Sequence, residues 1–174
     1  AYEISELPIN RDEPENYDAA LEWYKKAAEQ GHADAQYYLG VLYENGKSVP
    51  QSYEDSVRWY RKAADRGYAE AQCNLGGMYA NGNGVAQDDA EAMKWFMKAA
   101  RQGQPLAQYR VGFMYAAGRS VPQNDIEAVK WYRKAVEQRQ VYAQFSMGEM
   151  YENGQGGLQQ DYSEAMKWYK MAAE

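Results

Sequence analysis

The sequence predicts an all-α fold: a right-handed α-solenoid of about nine helices, stacked as antiparallel pairs with a 36-residue repeat. Tryptophans follow this period along the 174-residue chain with spacings of 36, 36, 36 and 37, at Trp23, Trp59, Trp95, Trp131 and Trp168. The pair Leu39-Gly40 and the residue Tyr43 have counterparts at the same step. A fixed period of this length is typical of stacked helical repeats, in which each repeat buries its apolar face against its neighbours.

Composition indicates a folded chain with an acidic surface. Hydrophobic residues make up 45% of the chain and aromatic residues 14%, well above the level of disordered proteins. The formal net charge is −6 without any basic tract, so we expect no nucleic-acid partner, because affinity for nucleic acid rests mainly on Lys and Arg. No apolar run approaches the roughly 20 residues that span a bilayer, so no membrane span is predicted.

Each repeat contains a helix, here called B, that starts after a residue suited to cap its first turn. The capping residues are Asn16, Ser52, Asp88, Asn124 and Asp161. Their side-chain oxygens can accept hydrogen bonds from the unpaired amides of the first turn. An acid three positions later, as at Asp55 and Glu91, predicts a reciprocal capping box.

The end of helix B is marked by a glycine. Gly67 and Gly103 supply the left-handed residue that stops the helix, whereas Arg139 takes this place in the fourth B helix. We therefore expect local irregularity around Arg139. The Trp-aromatic pairs of B, such as Trp59-Tyr60, are interpreted as core.

The other helix, A, is predicted by a second set of constant residues. It runs approximately over Ala33–Asn45, Ala69–Asn81, Pro105–Ala117 and Val141–Asn153. Within it, Ala35, Leu39 and Tyr43 recur at helical spacing and mark one buried face. Gly40 and its counterparts cost about 1 kcal/mol each relative to alanine, which predicts a close approach of two helix backbones.

These elements predict an irregular lead-in and a single solenoid domain. The lead-in covers residues 1–15, and the solenoid covers 16–174, with a first helix over 16–30 and units at about 33–67, 69–103, 105–139 and 141–174. The spacing of 37 comes from one inserted residue in the last A–B turn, which keeps both helices in register.

The repeated residues resemble the Sel-one-like repeat, a subclass of the tetratricopeptide superfamily. The pattern in one unit reads Ala71, Leu75-Gly76, Tyr79 and Gly82, then Ala92, Trp95-Phe96, Lys98-Ala99-Ala100 and Gly103. The resemblance covers about residues 16–174. It implies an adaptor that holds a protein or peptide partner on a concave surface lined by the A helices.

When the repeats are aligned, four positions of helix A carry different residues in different copies. We call each set of equivalent positions a column. The four columns share one helix face, because they are spaced three and four residues apart. The candidate partner-binding residues on this face are Tyr37, Val41, Leu106, Tyr109, Arg110, Phe113, Tyr142, Phe145 and Glu149. Aromatic residues that the repeat does not require are typical of binding surfaces, and Arg110 is suited to pair with a carboxylate. The alternative is that the aromatic residues only pack against the next A helix.

The sequence offers little for catalysis or metal binding. Cys73 and His32 are the only residues of their types, and the chain has no HExxH or CxxC motif. Paired carboxylates such as Asp88-Asp89 lie at helix starts, where capping accounts for them. We therefore predict a non-enzymatic protein without cofactor or metal.

Narrower functions remain open. Family resemblance alone suggests a bacterial immunity protein that neutralises a secreted effector toxin, or, as a weaker alternative, an enzyme acting on cell-wall material. The compartment is undecided between bacterial periplasm and cytoplasm. Because the sequence stops on a B helix, either the natural chain continues or the uncapped solenoid ends allow self-association.

Overall fold

The computed structural model describes residues 16–174, with side chains described from residue 20 onward. The predicted lead-in over 1–15 and the capping role of Asn16 lie outside the described residues. The described part contains nine helices and no strand, which confirms the all-α fold. The helices are α1 (Asn16–Glu29), α2 (Ala33–Asn45), α3 (Tyr53–Asp65), α4 (Ala69–Asn81), α5 (Asp89–Arg101), α6 (Pro105–Ala117), α7 (Asp125–Glu137), α8 (Val141–Asn153) and α9 (Tyr162–Ala173).

The A helices are α2, α4, α6 and α8, and their predicted bounds are confirmed. Each A helix packs most extensively on the B helix that follows it and less on the one that precedes it. The described chain is therefore a stack of consecutive helix pairs, in which the buried residues form four clusters along the stack.

Four predicted helix caps are present. The Ser52 hydroxyl accepts from the Asp55 amide at 3.1 Å, and Asp88, Asn124 and Asp161 accept from the amide three residues later at 3.0, 3.1 and 2.9 Å. Each of these bonds satisfies an amide that the first helical turn leaves without an intrahelical partner.

The reciprocal half of the predicted capping box is wrong. The backbone N–H of Ser52 donates to the Tyr43 carbonyl of the preceding A helix at 3.0 Å, and its counterparts do the same. With that donor already used, the acid is free for another partner. Glu91 forms an ion pair with Lys94 at 2.9 Å, and the later B helices repeat this pair.

The predicted irregularity at Arg139 does not extend to the hydrogen bonds of the turn. The Arg139 amide donates to the Val136 carbonyl at 2.8 Å and the Gln140 amide to the Ala135 carbonyl at 3.1 Å, as in the turn at Gly103. Arg139 keeps this geometry by adopting a φ of 57°, in the left-handed region that disfavours residues with a Cβ.

Replacing Arg139 with glycine is therefore expected to raise the free energy of unfolding by about 1 kcal/mol, because the left-handed strain is relieved. Urea denaturation followed by circular dichroism measures this change. Arg139→Ala is the matched control, since it removes the long side chain but keeps the Cβ. An equal gain in both variants would show that the side chain, and not the backbone conformation, is unfavourable.

The helix A glycines face aromatic rings, so the predicted contact between two backbones is only partly right. A Cβ at Gly76 would lie 2.7 Å from Phe96 Cδ1 in the next B helix and 3.2 Å from the Ala92 carbonyl oxygen. At Gly40 the nearest atoms all belong to the ring of Tyr60. The small residue makes room for the ring that follows each tryptophan.

The interpretation of the tryptophans as core is right for Trp95 alone, which is buried. Trp59, Trp131 and Trp168 are half-buried, and Trp23 is 56% exposed. The reason is their direction: Phe96 packs in the cluster built mainly by α5 and α6, whereas Trp95 packs in the cluster built by α3 and α4. Trp95 therefore joins two consecutive clusters.

A column of buried glutamines was missed in the sequence. Its members are Gln36, Gln72, Gln108 and Gln144. The Gln72 side-chain amide donates to the Ala64 carbonyl in the last turn of α3 at 3.0 Å, and its oxygen accepts from Gln102 Nε2 at 2.8 Å. The glutamine is thus a second donor to a helix-end carbonyl that also accepts from the Gly67 amide at 3.0 Å. The recurrence of glutamine every 36 residues could have predicted this buried column from the sequence.

Candidate functional site

A groove of about 380 Å³ lies between α6 and α8. Five of the predicted partner-binding residues line it: Tyr109, Phe113, Tyr142, Phe145 and Glu149. The buried Tyr132 of α7 also lines this α6–α8 groove. Two A helices of consecutive units therefore present their variable faces to one concavity.

Aromatic rings in the groove contact one another around Tyr109. The centroid of its ring lies 5.6 Å from that of Tyr142, 5.9 Å from that of Tyr132 and 6.4 Å from that of Phe113. The ring of Phe145 lies 5.2 Å from that of Tyr169 in α9. Tyr109 thus contacts both Tyr132 of its own unit and Tyr142 of the next A helix, and it supports the more exposed rings.

Three of these rings keep much of their surface in water. Phe113 is 37% exposed, Phe145 51% and Tyr142 60%. Burying one large aromatic side chain contributes on the order of 1.5–3 kcal/mol, so this group of rings retains a substantial driving force for association.

The other four predicted residues lie outside the groove. Leu106 packs against the core cluster that contains Phe96, and Tyr37 and Val41 pack against the cluster that contains Tyr60. Arg110 is exposed, and its guanidinium carbon lies 5.8 Å from the centroid of the Tyr109 ring. The role of all nine residues in partner binding stays a prediction.

One alanine in the lining of the groove stands where two other units carry glutamate. Glu44 and Glu152 accept hydrogen bonds of 2.5 Å from the hydroxyls of Tyr60 and Tyr169. The residue at the corresponding position of the third unit is Ala116, which lines the groove and offers no such acceptor. Sequence reasoning missed this, although the column Glu44, Ala80, Ala116, Glu152 was available as a signal.

The hydroxyl of Tyr132 at the inner side of the groove has a different partner. Ser146 lies beside this hydroxyl. Burial has the larger effect and keeps the pKa of Tyr132 above the ordinary value, whereas Ser146 lowers it. Burial likewise raises the pKa of Tyr109, against an opposing effect of Arg110. Both phenols are therefore neutral at physiological pH.

Glu149 is the carboxylate that lines the groove. Burial raises its pKa, and the negative charge of Glu152 raises it further. The ion pairs formed within residues 16–174 do not include Glu149. The charged form of this side chain is thus less stable than that of an ordinary surface glutamate.

The described residues offer no metal centre, since residues 16–174 contain no group of three or more His, Cys, Asp or Glu placed to hold an ion. Cys73 is buried, and burial raises the pKa of its thiol to about 12. At neutral pH it is a protonated, inert side chain. None of the helices in this range has the length and apolar character required to cross a membrane.

The 36-residue unit matches a known repeat. The family described as Sel1 repeat matches five consecutive segments, residues 11–32, 33–68, 69–104, 105–139 and 141–174. The chain belongs to the Sel1 repeat family. This confirms the resemblance that the repeated residues indicated.

Solved Sel1 repeat structures share the fold. A protective antigen of uropathogenic Escherichia coli strains, which displays an SLR fold, is 43% identical with a TM-score of 0.82, over 88% of this chain and 32% of its own. A Sel1 repeat protein from Oxalobacter formigenes is 35% identical with a TM-score of 0.85, over 90% of this chain and 62% of its own. This Sel1 repeat chain thus spans less than two thirds of either relative.

A more distant neighbour is an immunity protein from Pseudomonas aeruginosa, which is 23% identical with a TM-score of 0.60, over 90% of this chain and 56% of its own. At that identity the likeness concerns the fold alone. No curated protein matches the chain. Sel1 repeat proteins are typically protein-interaction modules, and their fold is generally an interaction scaffold.

Proposed function

We propose that this Sel1 repeat chain is a non-enzymatic interaction module that binds a protein or peptide partner on its concave A-helix face, at the α6–α8 groove. The observation that carries the proposal is the exposure of Phe113, Tyr142 and Phe145 around one concavity. Contiguous exposed apolar surface rimmed by polar residues is typical of protein-interaction sites.

The repeat itself does not need these rings. The aromatic residues that build the stack, Tyr60, Phe96 and Tyr132, are all buried. At the column of Phe113 the other units carry Val41, Gly77 and Glu149, so packing does not demand an aromatic residue there. Aromatic residues of this kind are the usual energetic centres of interfaces.

Replacing Phe113 with aspartate is expected to weaken partner binding by about tenfold or more, because an anchor ring is lost and a charge enters the groove. Partners captured from the native host by the wild-type chain would be purified and titrated against each variant. Gly77→Asp is the matched control, since it places the same charge in the same column of α4, outside the groove. Equal binding by both variants at unchanged helical content would exclude the groove as the site.

The narrower functions stay predictions. The immunity role of the P. aeruginosa protein is a property of that protein, and co-production of this chain with an effector encoded beside it would test whether the role extends here. Action on cell-wall material would require hydrolysis that a single substitution in the groove abolishes.

A further inference from the structure

We propose that the α6–α8 groove recognises a basic side chain, an arginine or lysine, presented by an otherwise apolar partner segment. This inference rests on the proposed function and adds the chemistry of the partner to it. Glu149 is the recognising carboxylate, and the rings of Tyr142 and Phe145 supply the surface against which the cationic side chain packs.

The geometry places an acid and aromatic rings together in the lining of one groove. Tyr142, Phe145 and Glu149 follow one another on the same face of α8 at spacings of three and four residues. Tyr109 and Phe113 lie four residues apart on α6 and also line the groove. A cation seated between the two helices can therefore contact a carboxylate and a ring face together.

The charge of the groove favours a cation. Glu149 lines it without an ion-pair partner among residues 16–174, and the charge of Glu152 acts on it from the same helix. Arg110 does not line the groove, and its guanidinium lies on the ring of Tyr109. An incoming cation would pair with the exposed Glu149 carboxylate and offset the negative charge of Glu152 beside it.

Elsewhere the chain pairs its aromatic faces with its own cations. Lys62 Nζ lies 3.9 Å from the centroid of the Trp59 ring, Lys98 Nζ 3.8 Å from that of Trp95, and Lys134 Nζ 4.2 Å from that of Trp131. Tyr142 and Phe145 take part in no such pair within the described residues. Their faces remain available to a cation from outside.

The size of the groove suits one anchoring side chain. Its volume of about 380 Å³ is near the lower end of the range for small-molecule pockets, roughly 300–1,000 Å³. A whole helix or folded domain is too large for this volume and would contact only the rim of the groove. A single long side chain is small enough to enter it. An arginine fits this description well, because its planar guanidinium stacks on rings and pairs with a carboxylate through two hydrogen bonds.

Two small probes test this chemistry: N-acetyl-arginine methylamide and its neutral isostere N-acetyl-citrulline methylamide. Each is titrated into the full chain while the backbone amide resonances of α6 and α8 are followed by NMR. The arginine probe is expected to bind about fivefold to tenfold more tightly than the citrulline probe. Glu149→Gln is expected to abolish this preference without changing the affinity for citrulline.

Glu54→Gln is the control, because it removes one exposed carboxylate on α3 and so changes the net charge equally. It should leave both affinities unchanged. Equal affinity for the two probes, an unaltered preference in Glu149→Gln, or no groove resonances shifted at the highest soluble concentration would each overturn the proposal.

The partner assay separates this proposal from the proposed function. If Phe113→Asp loses the partner while Glu149→Gln retains it fully, the groove is the binding site and the basic anchor is wrong. If Phe113→Asp retains the partner, the proposed function itself fails.

Discussion

Replacing Gly76 with alanine is expected to lower the free energy of unfolding by about 2–3 kcal/mol, whereas the same change at the next residue, Gly77, is expected to raise it by about 1 kcal/mol. Both glycines lie inside α4, so both gain the same helix propensity from the added methyl group. The difference between them comes from the space that the methyl group would enter.

At Gly76 that space is occupied. The added Cβ would lie 2.7 Å from two ring atoms of Phe96, and Phe96 is itself only 2% exposed within a packed cluster. The ring can move aside only by displacing its own neighbours, which costs about 1–3 kcal/mol in a close-packed core and sometimes more. At Gly77 no atom lies within 4 Å of the added Cβ.

Urea denaturation of both variants, followed by far-ultraviolet circular dichroism, measures the two changes in parallel. A second pair of measurements, with Phe96→Leu alone and combined with Gly76→Ala, tests the mechanism. The smaller side chain should make the alanine less unfavourable. Equal stability of Gly76→Ala and Gly77→Ala would refute the assignment of the ring as the cause.

Replacing Gln72 with leucine is expected to lower the free energy of unfolding by about 2 kcal/mol. The leucine removes the side-chain donor to the Ala64 carbonyl, which keeps the Gly67 amide at 3.0 Å, and it removes the acceptor of Gln102 Nε2. A typical intramolecular hydrogen bond contributes about 0.5–1.5 kcal/mol net, so the two lost bonds together account for about 2 kcal/mol.

The first unit supplies the comparison. Gln36 donates to the Ala28 carbonyl at 3.0 Å, but among the described residues no donor reaches its oxygen. The place of Gln102 is taken there by Arg66, whose guanidinium lies against Gly31 instead. Gln36→Leu should therefore cost clearly less than Gln72→Leu, about 1 kcal/mol, because it also removes an unsatisfied oxygen.

The same reasoning predicts a gain from Arg66→Gln, which would restore the missing donor and stabilise the chain by about 1 kcal/mol. Thermal and urea denaturation of the three variants give the comparison directly. A cost for Gln36→Leu as large as that for Gln72→Leu would show that the second hydrogen bond contributes little.

The helices and their caps were predictable because they depend on neighbours in the sequence. Ser52 caps α3 through an amide three residues away, and the bounds of α4 follow from residues within one turn of its ends. The capping box was wrong because a more distant group, the Tyr43 carbonyl, reaches the Ser52 amide first. A local sequence pattern does not show that another helix supplies a competing hydrogen-bond acceptor.

The candidate site was predictable in part. Subtracting the constant columns isolated Phe113, Tyr142 and Glu149, and the structure brings them to one groove. The same subtraction also selected Tyr37 and Val41, which pack against a core cluster instead. Variation between copies identifies residues that the scaffold does not require, but it does not show which of them meet a concavity.

By itself the sequence determined the Sel1 repeat stack, since a 36-residue period repeats the same local caps and the same buried face in every copy. Only the tertiary structure showed where a groove lies between two A helices of the stack. Ala116 lines the groove at the position where Glu44 and Glu152 bind tyrosine hydroxyls in two other units. The groove depends on the approach of α6 and α8, whose Tyr109 and Tyr142 rings lie 5.6 Å apart although a whole helix separates the two in the sequence. The volume of such a groove depends on the size and direction of side chains from two neighbouring repeats. The sequence of one repeat therefore does not determine it.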